Sequence, residues 1–553
     1  MARALALAAL LAAAGSAGCL GPALQPSSLP PGGLEPLTEA VFEIGAFLPL
    51  QIPMRDGVNI HVDLVVPAGD GPFAALLELT PYALLGRDRW GLAQEYRIPD
   101  PGAANSLVDF YVPRGYAVAV AHVRGTGESG GCLTVGGPDE GLDGAELVQW
   151  LAAQPWSNGK VAMLGTSYVG TTPLQTAILA PPNLTTIVPV SAVTAWYDYY
   201  FERGAHRANG SPPPGSSHTD AALWAAMGIA PGPRDLATGG ADDVTCQLEF
   251  AREDLGQDDD DAYWQERNIR AHAGDITASV LYAQGFDDLN VATTMVPEFW
   301  SGVGAEKRMW LAQHGHGVPA SRESYHEFVH RWLDHFLLGK ANGALDLAPV
   351  LVEDNLGGWR TEATWPPLDA NATKLWLAPG ALAAEPPAEA EGSWLDDGLG
   401  REDAALEGAN HLRFLGEPLA QDLHVAGAPV VHLEAAANLP DTNFVVHFYD
   451  VAPDGAQAFL TRGFLDARHR ESLEQGKDLR PGQRAAFEFP LHPQDYRVQA
   501  GHRLELVLKS SDPYILPDAE RAMVTAFFGA DGSWIAVPGI ARASFLEDAP
   551  VPG

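Results

Sequence analysis

Between about residues 46 and 345 the chain repeats one pattern, a short apolar run followed by a turn and a stretch of helical length. The runs "VNIHVDLVVPA", "FAALLELTPY", "YAVAVAHVRGTG" and "KVAMLG" have strand length, and "GAELVQWLAAQ" between the last two has helical periodicity. Strands apolar on both faces that alternate with helices predict a mostly parallel α/β sheet covered on both sides.

The rhythm continues through "TTIVPVSAV", "ASVLYAQG" and "KRMWLAQHG". Tyr325, Phe328, Val329, Trp332, Leu333, Phe336 and Leu337 then recur at steps of three and four, which predicts an amphipathic helix against the sheet, stopped at Gly339. Residues 192–275 break the rhythm with Pro/Gly turns and the acidic run "EDLGQDDDDAYW", and are expected to form a helical cap insertion. From about residue 346 to 553, short strands such as "KLWLAPG", "NFVVHFYDV" and "HRLELVLKSSD" predict a separate all-β sandwich. A chain of 553 residues has room for both domains.

The 34 Lys and Arg stand against 70 Asp and Glu, and a net charge of −36 excludes wrapping of nucleic acid or docking of the body on anionic lipid. The first residues, Arg3 followed by an Ala/Leu run too short to span a bilayer, predict an export signal over 1–18 and a Pro/Gly/Ser tether over 19–45. Cys19 follows Ser16, Ala17 and Gly18, which resembles a lipobox with Ser in place of the usual Leu; ordinary cleavage near Ala17 is the other reading. The expected location is extracytoplasmic, secreted or lipid-anchored. Cys132 and Cys246 are left for the folded body, where oxidising surroundings permit a disulfide and sequence equally permits two buried thiols.

Ser167 lies in Gly165-Thr166-Ser167-Tyr168-Val169-Gly170, after an apolar strand and before a helix. A nucleophilic serine needs such a sharp strand-to-helix turn, with small residues where backbones cross. It also needs an imidazole base, and the imidazole needs a carboxylate to fix its tautomer. Asp287 and Asp288 follow the strand "ASVLYAQG", and His314 and His316 follow "KRMWLAQ", each pair at a strand's C-terminal end. The order Ser, Asp, His is that of α/β-hydrolases. Oxyanion donors are expected from the Tyr168 amide and from the turn "ELTPYALLG", with Tyr82 as the candidate.

Taken together, "RGTGESGG" (124–131), "QPWSNGKVAMLGTSYVG" (154–170), "WYDYY" (196–200), "GFDDLNV" (285–291), "HGHG" (314–317), "WRTEATWPP" (359–367) and "GHRLELVLKSSD" (501–512) resemble one group of serine hydrolases. It is the Xaa-Pro dipeptidyl-peptidase and cocaine esterase-like (CocE/NonD) group, which includes the α-amino acid ester hydrolases. The resemblance implies an α/β-hydrolase domain with a cap insertion and a C-terminal jelly roll. It also implies Ser167 as nucleophile, Asp288 within Gly285–Val291 as triad acid, His316 as base, and Tyr82 with the Tyr168 amide as oxyanion hole. His314 then stands where the group carries an aromatic residue.

The reaction expected is acyl transfer through Ser167 with no metal or organic cofactor. The substrate is a small peptide or an ester. "WYDYY" and "GFDDLNV" resemble the peptidase branch, where the insertion helps recognise a free amine, and Asp198 or Glu202 could pair with that ammonium. Carboxylesterase action is the alternative, and an inactive surface binding protein a minor one.

Overall fold

The computed structural model describes residues 34–82, 106–208, 262–317, 323–517 and 521–541. The leader, Cys19, Cys246 and the middle of the insertion lie outside them. Among the described residues no helix is long and apolar enough to cross a membrane.

Twelve strands serve the first domain: β1 (Ile44–Pro53), β2 (Asn59–Pro67), β3 (Phe73–Thr80), β4 (Tyr116–His122), β5 (Ser157–Thr166), β6 (Leu184–Val190), β7 (Phe201–Glu202), β8 (Ala205–His206), β9 (Ser279–Gly285), β10 (Lys307–Ala312), β11 (Val350–Glu353) and β12 (Trp359–Glu362). Ten form one sheet in the order β1-β2-β4-β3-β5-β6-β9-β10-β11-β12, and β7 with β8 makes a separate hairpin. From β4 to β11 every neighbour is parallel; β1, β2 and β12 close the two ends antiparallel. All eight residues of β3 and all seven of β4 are buried. Their continuous apolar runs therefore need covering on both faces. On one face lies the helix Glu323–Leu338, whose Tyr325, Phe328, Val329, Trp332, Leu333 and Leu337 are buried against β4, β5, β6 and β10. Its sequence periodicity and its stop before Gly339 are as expected. The helices Pro138–Ala152 and Tyr168–Ala177 cover the other face.

Two boundaries differ from the sequence reading. The tether expected over 19–45 is already anchored in its described part: Thr38 donates both its N–H and its hydroxyl to Asp334 at 2.8 Å, and β1 begins at Ile44. The hydrolase sheet also continues past residue 345, because Val350–Glu353 pairs parallel with β10 and Trp359–Glu362 pairs with Val350–Glu353. Short strands read alike whichever sheet accepts them, so the rise in strand signal anticipates the true transition. Beyond it, thirteen strands from Asn371–Ala378 to Trp534–Ile540 form one hydrogen-bonded β-domain around a core that includes Trp394, Phe414, Phe444, Phe487 and Phe489.

The insertion leaves the sheet between β6 and β9, which are hydrogen-bonded neighbours, so the sheet is unbroken beneath it. Its described parts carry the helix Trp196–Tyr200, the hairpin β7–β8 and the segments Ala262–Gln265 and Ile269–Asp275.

Candidate active site

Ser167 sits between β5 and the helix Tyr168–Ala177 at φ +63° and ψ −126°, a conformation that a side chain with a Cβ rarely adopts. The surroundings hold it there. Its N–H donates to Val190 O at 2.9 Å, and its own carbonyl accepts from Gly170 N at 3.0 Å and Thr171 N at 2.9 Å. The spacing of the motif has a steric cause: a Cβ on Gly170 would lie 2.7 Å from Val190 O and 2.9 Å from Gly165 O. Gly170 thus provides the close backbone crossing that the common Gly-x-Ser-x-Gly pattern places one residue earlier, and Val169 is accommodated.

Asp288 and His316 meet on the loops after β9 and β10. His316 Nδ1 lies 2.9 Å from Asp288 Oδ2. Asp288 is 1 % exposed and Asp287 faces solvent, so burial separates the two acids that sequence spacing left equivalent. The other oxygen of Asp288 accepts the amides of Asn290 at 2.9 Å and Val291 at 2.8 Å, which fixes the carboxylate. A carboxylate accepts, so Nδ1 carries the proton and Nε2 keeps its lone pair. His314 bonds instead to its own loop, Nδ1 to Gly315 O at 2.7 Å. Gly285 lets the two loops touch, since a Cβ there would come within 2.7 Å of His314 Nδ1 and 2.9 Å of Gly315 O. Ser167, Asp288 and His316 therefore follow the C-terminal ends of β5, β9 and β10, on one edge of one sheet.

Tyr168 is the first residue of its helix, and its N–H has no acceptor within that helix. Its ring is held from below, the hydroxyl donating to Glu140 Oε2 at 2.7 Å and accepting from Gly136 N at 2.9 Å. Burial first, then the Glu140 carboxylate, pushes the Tyr168 phenol well above its ordinary range, and the Tyr82 phenol adds in the same direction. Tyr82 follows β3, and its N–H donates to Thr80 Oγ1 at 3.1 Å.

The two acids considered for an ammonium group are both engaged, Glu202 buried and Asp198 half-buried. Asp198 pairs with Arg270 at 2.6 Å, and Glu202 with His492 of the β-domain at 2.5 Å. Burial alone would raise the Glu202 carboxyl, but His492, Arg207 and Arg462 outweigh it and hold the group below its ordinary range. Cys132 is in a disulfide.

Several supports escaped the sequence reading. Glu140 is a buried acid among the small residues of "GGPDEGLDG", one of two buried acids with Asp143 in the first turns of that helix. Arg207, the only Arg of "GAHRANG", donates to Leu289 O at 2.6 Å and Asn290 O at 2.9 Å, both in the acid loop. Tyr199 donates its hydroxyl to Asn290 Oδ1 at 3.0 Å. Arg207 and Tyr199 act across long separations that leave no mark in spacing.

A strained serine elbow, a buried acid fixing an imidazole and a two-sided parallel sheet define a serine hydrolase of the α/β-hydrolase class. Residues 56–318 match the X-Pro dipeptidyl-peptidase (S15) family and residues 342–526 its C-terminal non-catalytic domain. A putative Xaa-Pro dipeptidyl-peptidase of Bacillus cereus is 30 % identical over 442 residues, covering 74 % of each chain. Among solved structures, an aminopeptidase from a marine sediment archaeon, Thaumarchaeota, is similar with a TM-score of 0.74, 22 % identity, and coverage of 93 % of this chain and 99 % of that one. An α-amino acid ester hydrolase follows with a TM-score of 0.73, 21 % identity, and coverage of 95 % and 100 %. The chain belongs to the X-Pro dipeptidyl-peptidase (S15) family.

Proposed function

We propose that this chain is an exported peptidase that removes Xaa-Pro dipeptides from the free N-terminus of small peptides through an acyl-enzyme on Ser167. The observation that carries the reading is the Asp288–His316 bond, which leaves Nε2 as a base on the edge where Ser167 is held in its elbow. His316 takes the hydroxyl proton as Oγ attacks the acyl carbon. The oxyanion meets the Tyr168 amide and the Tyr82 hydroxyl, and the protonated imidazole then gives its proton to the leaving amine. Water, deprotonated by the same nitrogen, releases the acyl group. The disulfide at Cys132 supports export, since such bonds persist in oxidising compartments.

One observation favours a second reading, hydrolysis of esters. Asp198 is already paired with Arg270 and Glu202 with His492, so a substrate ammonium would have to displace a partner to use either acid. An ester needs no such contact.

The test compares glycyl-prolyl p-nitroanilide, its N-acylated form and p-nitrophenyl butyrate, with Ser167→Ala as control. Cleavage of the free-amine anilide and inertness of its blocked form support the peptidase. Turnover of the butyrate alone assigns the esterase, and equal rates for wild type and Ser167→Ala on all three overturn both.

A further inference from the structure

His61, Asp63 and His122 form a buried cluster on β2 and β4 that the serine mechanism does not use. β2 and β4 run antiparallel with Asp63 opposite Val120 and Val62 opposite Ala121, which sets residue 61 across from residue 122. Residues two apart on a strand share a face, so all three side chains project from the same one. They are 5 %, 3 % and 0 % exposed. One nitrogen or oxygen from each lies within 4.8 Å of the others, His61 Nε2 and Asp63 Oδ1 are 2.9 Å apart, and the two rings face one another at 4.7 Å between centroids.

We propose that these three residues bind a divalent ion of the zinc class that fastens β2 to β4. Two neutral imidazoles and one carboxylate are the donors such an ion selects, and a buried carboxylate beside two histidines gains a full counter-charge from it. Tetrahedral zinc with bonds of about 2.0–2.1 Å places its ligand atoms roughly 3.3 Å apart. The His61–Asp63 pair at 2.9 Å would open slightly to reach that spacing, and the remaining separations, all within 4.8 Å, would close to it by side-chain rotation without a change of register.

The surroundings supply support for the ligands. With the ion on Nε2 of His61, its Nδ1 carries a proton and faces Glu128 Oε2 at 3.6 Å and the Gln51 side-chain amide at 3.2 Å. An amide rotated end for end accepts from it, and a carboxylate raises the basicity of the ligand. His122 Nδ1 now accepts the Glu128 amide at 3.2 Å. Ligation by His122 through either nitrogen ends that contact, so metal uptake is coupled to the 124–131 loop.

The site is also joined to the active-site edge. Thr80 is the register partner of His122, Val123 N donates to Thr80 O at 2.9 Å, and Thr80 Oγ1 accepts the Tyr82 amide. The ion would brace the strands from which the Tyr82 turn departs, without touching substrate. The proposal is independent of whether the substrate is a peptide or an ester.

The full chain, stripped with EDTA and dialysed, is titrated with ZnCl2 by calorimetry and with CoCl2 by visible absorption, and its melting temperature is followed with and without zinc. One equivalent bound, a tetrahedral cobalt spectrum and a melting temperature raised by zinc and lowered again by EDTA are expected. Asp63→Asn should bind about tenfold or more weakly, and His61→Ala with His122→Ala should lose the equivalent while its circular dichroism and labelling by a fluorophosphonate probe persist. Wild-type protein that takes up no metal overturns the proposal, whatever the variants do. So does an undiminished equivalent in Asp63→Asn and the double variant.

Discussion

Ser167 concentrates the constraints of the site in one residue. A non-glycine at φ +63° costs about 1–3 kcal/mol, which the Val190 bond and the close fit around Gly170 must offset. Gly170→Ala should therefore destabilise by about 2–3 kcal/mol in chemical denaturation, because its methyl would meet two backbone oxygens that cannot swing aside. The serine itself was legible from the strand before it and the helix after it. The glycine spacing was legible only as an anomaly, since what Gly170 avoids is the carbonyl of another strand. Asp288 makes the same point: sequence spacing offers two adjacent acids, and only the three-dimensional frame shows which is buried against His316. Asp288→Asn would offer its amide N–H where His316 needs an acceptor. With the imidazole turned to the wrong tautomer, kcat should fall about 10³–10⁴-fold with little change in KM, read on whichever substrate is turned over.

Among the elements, the helix Glu323–Leu338 was the most legible, because a 3.6-residue period over this length admits no other packing. The strands Val350–Glu353 and Trp359–Glu362 were visible as strands but not as members of the first sheet, since their composition is silent about which edge accepts them. The same helix gives a pH prediction. Burial pushes His326 down to about 4 from its ordinary 6.5, and the residue is 8 % exposed. Between those values the unfolded chain binds a proton that the folded chain refuses, so stability falls as pH drops from 6.5 toward 4 and this contribution is complete below the folded value. At about pH 5 the loss from this group is about 2 kcal/mol. His326→Gln removes the titration, so its melting temperature should drop less than that of wild type between about pH 7 and pH 5. Parallel curves for the two proteins would show that His326 does not carry the effect.

In the whole molecule, the β-domain reaches both loops that carry the acid and the base. Gln494 donates to Phe286 O at 3.2 Å beside Asp288, and Gln313, just before the histidine loop, donates to Asp495 O at 2.9 Å. Arg207 ties the third side. Buried at 2 % exposure, it donates to Tyr199 O at 3.2 Å, to Leu289 O and Asn290 O of the acid loop, and to the Tyr514 hydroxyl of the β-domain. The β-domain is thus a wall and brace for the catalytic edge, and the residues that do the bracing lie far apart in the chain and could not be read from the sequence. Arg207→Met would leave the main-chain carbonyls of Tyr199, Leu289 and Asn290 without this donor and Glu202 without one of its cations. A loss of about 3 kcal/mol or more is expected by calorimetry, with kcat reduced more than KM because the acid loop loses its tether. Arg207→Lys should recover little, since one ammonium cannot span the carbonyls that a planar guanidinium reaches together. Arg401→Met, at a residue whose side chain is 56 % exposed, should change stability by no more than about 0.5 kcal/mol. If Arg207→Met keeps full kcat despite its lower stability, the brace acts on folding alone and the acid loop holds its geometry without help from the second domain.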